Sequence, residues 1–280
     1  MDRLTDPEYW ESIYAPVSAV PTSSGWFTTR LKRLLGPVVL QYMADYPSYL
    51  LWDVVLPTFL RRQDGAKALE VGSAPGFNLI RLHDAFGFEP FGVEYSRSGV
   101  ELNRKRFELE GITADNVIHA DFLSAPFQER YKSRFDVVVS FGFIEHFSDV
   151  EDVVSKHLNV LSPGGCLVVT IPNLRGFNYF LSWVFQKDVI PLHNLSIMRK
   201  QTFCALFDGL SVTSLMCRYY GTFNFGLFNT SSASWKRHLL NVCGKVQKLL
   251  NVLFRVLFGP RGAECAYFSP YLIFVGVKKG

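Results

Sequence analysis

The 280-residue sequence has five cysteines but no Cys-x-x-Cys pair, and no Cys/His spacing of the kind that builds a zinc site. No metal is therefore expected. Cys166, Cys204, Cys217, Cys243 and Cys265 fall mostly in apolar runs and read as buried free thiols, which points to a reducing compartment. No charge-free apolar run reaches the roughly 18 residues that a membrane-spanning helix needs. The first residues, MDRLTDPEYWESIY, are polar and acidic, unlike a secretory leader. The expected location is the cytoplasm, with room for peripheral attachment to the inner face of a membrane. A Gly-x-Gly-x-x-Gly run is absent, which excludes the dinucleotide fingerprint. The G-x-x-x-x-G-K-[ST] phosphate loop is absent too. There is no internal repeat and no low-complexity segment.

Acidic residues are scarce at one end. Residues 218–280 hold nine Lys/Arg and a single acid, Glu264, a net charge of +8, whereas the first 217 residues carry −4. That asymmetry suits a tail that meets an anionic partner, and it equally suits a solvated helix face. Elsewhere the chain is rich. Hydrophobic residues make up 48% and aromatic ones 15%, with 25 Phe, enough for a full core and an apolar binding surface.

The stretch AKALEVGSAPGFNLIRL, residues 66–82, reads as a strand, a tight turn and a helix N-terminus. Gly72 and Gly76 let the backbone bend and approach a ligand, and the first helical turn leaves N–H groups free to meet it. From there the periods alternate. Strands are expected at Ala68–Val71, Phe91–Glu94, Val117–Ala120, Phe135–Ser140 and Cys166–Ile171, and helices at Phe77–Phe86, Ser98–Glu110 and Val150–Leu161. Short apolar strands alternating with helices argue for a parallel sheet covered on both faces. Two late strands, Val212–Tyr219 and Tyr271–Lys278, follow a helical stretch at Arg199–Phe207. Residues 1–65 form a helical preface to the main domain at 66–280. Asp6-Pro7-Glu8 starts a helix carrying Tyr9, Trp10 and Tyr14; Pro16, Pro21 and Gly25 break the pattern; a basic turn (Arg30, Lys32, Arg33) lies in Trp26–Tyr42; and Tyr49–Leu60 is helical to near Pro57. Two insertions stand out: 173–198, aromatic and not a simple helix, and 220–268, which holds a cationic amphipathic helix at Trp235–Phe258.

In an open parallel sheet the ligand lies at the carboxyl ends of the strands. Those ends carry Glu70 and Gly72, Glu94 and Tyr95, Asp121 and Phe122, Ser140 and Phe141 followed by Glu145 and His146, and Asn173. A carboxylate such as Glu94 can accept both hydroxyls of a ribose. Any one of these acids taken alone reads equally as a helix cap.

The ordered set resembles the class I S-adenosylmethionine-dependent methyltransferases over roughly Lys67 to Ile171. LEVGSAPG matches the family's first motif, Glu94 its ribose acid, Asp121 its third-strand acid, FDVVVSFGFIEHFSD its fourth motif and LSPGGCLVVTIPN its fifth-strand segment. The E-H-F-x-D run is similar to that of family members acting on ubiquinone precursors, sugars and lipids. The resemblance implies a Rossmann-like seven-stranded sheet whose last strand is antiparallel, and S-adenosylmethionine as cofactor. Carried over by position, Glu70, Gly72, Ser73 and Gly76 surround its methionine end, Glu94, next to the cofactor-binding candidate Tyr95, holds the ribose, Asp121 and Phe122 face the adenine, and Ser140 to Phe143 line the methyl side.

Methyl transfer is an in-line displacement in which the protein supplies alignment and sometimes a base. His146 is the first candidate base and His193 the second, against the plainer reading that His146 packs or orients Glu145. Phe177, Tyr179, Phe180, Trp183 and Phe185 make the first insertion a candidate lid for a small-molecule or lipid-linked acceptor, methylated at oxygen, and equally suit plain core packing. The basic helix at 235–258 suits an anionic membrane surface. Pro75 also occurs in the loops of certain RNA methyltransferases, so an RNA substrate is the alternative, although no lysine-rich tetrad, Pro-Cys nucleophile or Asn-Pro-Pro-Tyr motif can be placed. A catalytically inactive binding module is the third reading.

Overall fold

The computed structural model describes residues 3–15, 42–230 and 234–280. Most of the expected Trp26–Tyr42 segment, with its basic turn, and the breaks at Pro16, Pro21 and Gly25 lie outside the described residues.

Seven strands form one sheet in the order β3-β2-β1-β4-β5-β7-β6. They are β1 (Lys67–Val71), β2 (Glu89–Glu94), β3 (Val117–His119), β4 (Phe135–Phe141), β5 (Leu161–Pro172), β6 (Val212–Tyr220) and β7 (Tyr271–Lys278). The first five pair in parallel, while β7 runs antiparallel between β5 and β6. From β1 the chain winds outward to β3, then returns to place β4 on the other side of β1. Such a switch point leaves a crevice at the strands' carboxyl ends.

Both faces of the sheet are apolar, which explains the nearly continuous hydrophobic strands. Leu69, Val138, Leu167, Val169 and Phe274 point to one core with the Val150–Val160 and Ala125–Arg130 helices. Ala68, Val137, Val139, Val168 and Ile273 point to the other, with the Phe77–Phe86 and Arg97–Leu109 helices and a continuous helical run over 46–59. That run contains a π turn at Leu50–Val55 and continues through Pro57 to Phe59, so Pro57 opens its last turn instead of ending it.

The long basic helix, Ser234–Phe258, docks on this second layer through polar hooks. Asn251 accepts from the Tyr46 N–H at 3.4 Å, Gln247 accepts from the Phe225 N–H at 2.9 Å, and the Arg255 guanidinium lies 3.9 Å from the centre of the Tyr49 ring. None of the helices among the described residues is long and apolar enough to cross a membrane.

The reading of the cysteines needs correction. Cys204 and Cys217 form a disulfide that ties the Lys200–Ala205 helix to β6, with their Cα atoms 5.9 Å apart. Cys265 is exposed and Cys243 half-buried, so only Cys166 is a buried free thiol. Thirteen residues separate the bridged pair, and only the packing of helix on strand brings them together.

Candidate functional site

β1 ends in a turn that folds onto β2. The N–H groups of Gly72 and Ser73 both donate to the Val93 carbonyl, at 3.0 and 3.3 Å, and Gly76 N–H donates to Ser73 at 2.8 Å. Gly76 caps the next helix in the left-handed region, φ +91°, and a Cβ there would fall 2.2 Å from Asn103 Oδ1. Asn103 Nδ2 donates to Ser73 Oγ at 2.8 Å. The turn is thus held from the side by the Arg97–Leu109 helix.

A cavity of about 140 Å³ opens beside it. Of the residues expected to meet a cofactor, Gly72, Glu94, Tyr95, Asp121, Phe122 and Phe141 line it, and His146 joins them. Glu70, Ser73, Gly76 and Ser140 do not line it. Glu70 accepts from Asn78 Nδ2 at 2.7 Å, and its second oxygen has no partner among the described residues. Burial pushes its carboxyl up to about 8. Ser140 Oγ is likewise buried without a partner among the described residues.

Glu94 is 4% exposed at the end of β2, and Ser96 N–H donates to it at 2.9 Å. Burial raises its pKa, against backbone donors from Ser96, Ala74 and Tyr95. The carboxylate therefore meets the cavity already fixed in direction, which suits a ribose diol. The Asp121 carboxylate at the cavity wall is paired: its Oδ2 sits 2.5 Å from Arg3, and its Oδ1 accepts from Leu123 N–H at 3.0 Å. Phe122 lines the cavity while packing edge-on against Phe143, 6.0 Å between ring centres.

The N-terminal segment closes this cavity, a role that the sequence did not announce. Arg3, Thr5, Trp10 and Tyr14 line it. Arg3 bridges to Phe147 in the backbone, and the Trp10 ring stands edge-on to His146 at 5.2 Å. Asp6 caps the Pro7–Tyr14 helix by accepting from Tyr9 N–H at 2.8 Å.

A second cavity, about 450 Å³, lies on the other side of Phe141, Gly142 and His146, which line both. Its wall includes Leu51, Trp52, Leu227, Tyr220 and Tyr271, with Glu145 and His193 as polar groups. The expected lid aromatics are elsewhere. Phe177 packs among Phe180, Phe223 and Phe268, Phe185 packs on Phe228, and Tyr179, Phe180 and Trp183 are exposed. The first insertion does form a helix, Phe177–Phe185, but it supplies only His193 to this cavity.

His193 and His146 are brought together by backbone bonds between the insertion and the turn at Ile144–His146. Asn194 N–H donates to the Glu145 carbonyl at 2.7 Å, and Asn194 Nδ2 to that of Phe147 at 3.1 Å. His146 Nδ1 lies 2.8 Å from the Leu192 carbonyl, and His193 Nδ1 lies 2.8 Å from that of Val189. A carbonyl only accepts, so both rings carry the proton on Nδ1 and leave the Nε2 lone pair free. Burial, with His193 beside it, holds His146 down at about 3; burial also lowers His193. Glu145 is 1% exposed, with Oε1 3.8 Å from His146 Nε2 and Oε2 unpartnered among the described residues. Burial pushes its carboxyl up to about 8. Glu145, His146 and His193 offer three ligand atoms within 4.8 Å of one another.

Residues 42–219 match a family described as a methyltransferase domain. The chain belongs to that family. It is 30% identical over 126 residues to a protein of Mycolicibacterium smegmatis described as a probable S-adenosylmethionine-dependent methyltransferase, covering 45% of this chain and 46% of that one. It is 29% identical over 147 residues to squalene methyltransferase 1 of Botryococcus braunii, covering 51% of this chain and 35% of that one. The match thus spans less than half the length of either curated relative. Among solved structures, it shares its fold with the geranyl diphosphate C-methyltransferase of Streptomyces coelicolor, crystallised with Mg2+, geranyl diphosphate and S-adenosyl-L-homocysteine. The TM-score is 0.52 at 14% identity, over 93% of this chain and 86% of that one.

Proposed function

We propose that the protein transfers the methyl group of S-adenosylmethionine to an oxygen of an apolar, lipid-like small molecule at an anionic membrane surface. The observation that carries this is the meeting of two cavities at Phe141, Gly142 and His146. The smaller, bounded by Gly72, Glu94 and Phe122, takes the methyl donor. The larger, walled by Trp52, Tyr220 and Tyr271, takes the acceptor.

When bound, S-adenosylmethionine supplies an electrophilic sulfonium carbon. Glu94 holds the ribose diol. The backbone at Asp121 and the ring of Phe122 meet the adenine, and the Gly72–Gly76 turn lies along the methionine end. Trp10 and Arg3 cover the donor and keep water from it. His146, turned by Leu192 so that its Nε2 lone pair is free, takes the acceptor's proton, with His193 behind it. The names of the squalene and geranyl diphosphate enzymes support an apolar acceptor. Methylation at carbon, named for the geranyl diphosphate enzyme, is what product analysis would reveal if oxygen is wrong.

The membrane part rests on the Ser234–Phe258 helix. Trp235, Leu239, Val242, Val246, Leu249, Leu253 and Val256 recur every three or four residues, and each is at least 40% exposed. Lys236, Arg237, Lys245, Lys248 and Arg255 accompany them, with no acid anywhere in the helix. Pairing with a second copy would set like charges together, whereas an anionic bilayer takes both the apolar stripe and the charge.

Labelled S-adenosylmethionine, offered with total lipid extract and separately with RNA, tests the reading. Label in the organic phase is the expected result. Label in RNA would support the RNA alternative, and no label from folded, cofactor-binding protein would support a non-catalytic module.

A further inference from the structure

We propose that Glu145, His146 and His193 form a binding site for one divalent transition-metal ion of the zinc type. The three ligand atoms lie within 4.8 Å of one another, with Glu145 Oε1 3.8 Å from His146 Nε2. Tetrahedral coordination at about 2.0–2.1 Å sets ligand atoms roughly 3.3 Å apart, so small side-chain rotations close the set.

Two further observations point the same way. Metal-binding histidines almost always donate their other ring N–H to a backbone carbonyl or a carboxylate, which fixes the tautomer and the ring direction. Both histidines do so here, to Leu192 and Val189. Glu145 Oε2 is buried without a partner among the described residues, an expensive state for a polar atom. Asp45, the other carboxylate on the same cavity, is committed: it accepts from Ser48 N–H at 2.9 Å and from Asn224 Nδ2 at 2.8 Å. Two imidazoles and one carboxylate leave a coordination position open, and all three residues line the acceptor cavity.

The site stands on its own geometry, and its consequence rests on the proposed transfer to oxygen. An ion here acidifies an acceptor hydroxyl. The proton leaves to water, the oxygen bonds to the methyl carbon, and the C–S bond electrons pass to sulfur. In the metal-loaded protein this route replaces direct proton transfer to His146, whose Nε2 lone pair would then be engaged by the ion.

The test uses the full chain, stripped with a chelator and titrated with Co2+ and with Zn2+, without cofactor or acceptor. One equivalent of Co2+ is expected to give the visible bands of four- or five-coordinate cobalt, and Zn2+ to displace it. Glu145→Gln and His193→Ala are each expected to weaken binding by at least about tenfold. Either variant, if it keeps the wild-type circular dichroism and S-adenosylmethionine affinity, is enough to read. Folded wild-type protein that takes up no Co2+ or Zn2+, or variants that bind as well as wild type, would overturn the site. Because no substrate is present, that result is separate from any failure of methyl transfer.

Discussion

The rings of His146 and His193 lie with their centres 4.6 Å apart and their planes tilted by 55°, and His146 Nε2 stands 3.8 Å from Glu145 Oε1. What holds them is backbone. The Leu192 carbonyl, 46 residues along the chain, fixes the first ring, and the bond from Asn194 to the Glu145 carbonyl brings in the second. The insertion after β5 therefore contributes to the site through three backbone-anchored residues, and its aromatic helix contributes packing.

Trp10 lines the donor cavity and stands edge-on to His146. Trp10→Ala removes the largest side chain of that cover. It is expected to weaken S-adenosylmethionine binding by roughly tenfold, about 1.4 kcal/mol, while leaving the far-UV circular dichroism unchanged. Calorimetric titration of the variant checks this.

Gly76→Ala tests the turn. The residue sits at φ +91°, and the added methyl would meet Asn103 Oδ1 at 2.2 Å. Strain of about 1–3 kcal/mol is expected, read as a lower denaturant midpoint with an unchanged slope. Gly111, at φ +71° with nothing near its Cβ, provides the control: Gly111→Ala carries backbone strain alone and is expected to cost less.

Much of this was legible in the sequence. The strand at Tyr271–Lys278 and the helix at Phe77–Phe86 form with the expected bounds, because a buried strand and an amphipathic helix each carry a period that few residues can disguise. The strand ends named Glu94 and Phe122, which do line the cavity. What the sequence could not show depends on distant chain segments meeting. Arg3 on Asp121, Cys204 on Cys217 and His193 on His146 have no periodicity and no motif. The five aromatics of 177–185 left lid and core packing open for a related reason: an apolar surface reads the same whether it faces a cavity, a neighbouring helix or solvent.

Glu70 gives a pH dependence with a definite sign. Its carboxyl titrates near 8 in the folded chain, because burial disfavours its charge, with Glu94 adding to the rise and Asn78 opposing it; Tyr14 is also within reach of its field. The ordinary value is 4.5, so between about pH 5 and 8 the folded state holds a proton that the unfolded state has lost. Stability contributed here is present at low pH and lost as pH rises through the folded value. Glu145 titrates in the same range, so the informative quantity is a difference. Glu70→Gln, which keeps the acceptor for Asn78, is expected to gain stability relative to wild type as pH is raised from 5 to 9. Urea titrations at each pH measure it.

The basic helix is tested at its outer face. Leu249 is 70% exposed, so Leu249→Glu is expected to leave stability within about 0.5 kcal/mol of wild type. It should nonetheless reduce co-sedimentation with phosphatidylserine-containing vesicles. Reversing Lys245 and Lys248 to Glu is expected to do the same at about 1 kcal/mol per basic residue removed, with the effect shrinking in high salt. Binding that persists in both variants would place the membrane contact elsewhere.

The most direct test of the central claim is calorimetric titration of S-adenosylmethionine into the wild-type protein and into Glu94→Ala. One site per chain is expected in the wild type. Affinity should fall by roughly 10- to 100-fold in the variant, the worth of a hydrogen bond to a charged group. A folded wild-type protein that binds no S-adenosylmethionine, or a variant that binds it as tightly, would contradict the account.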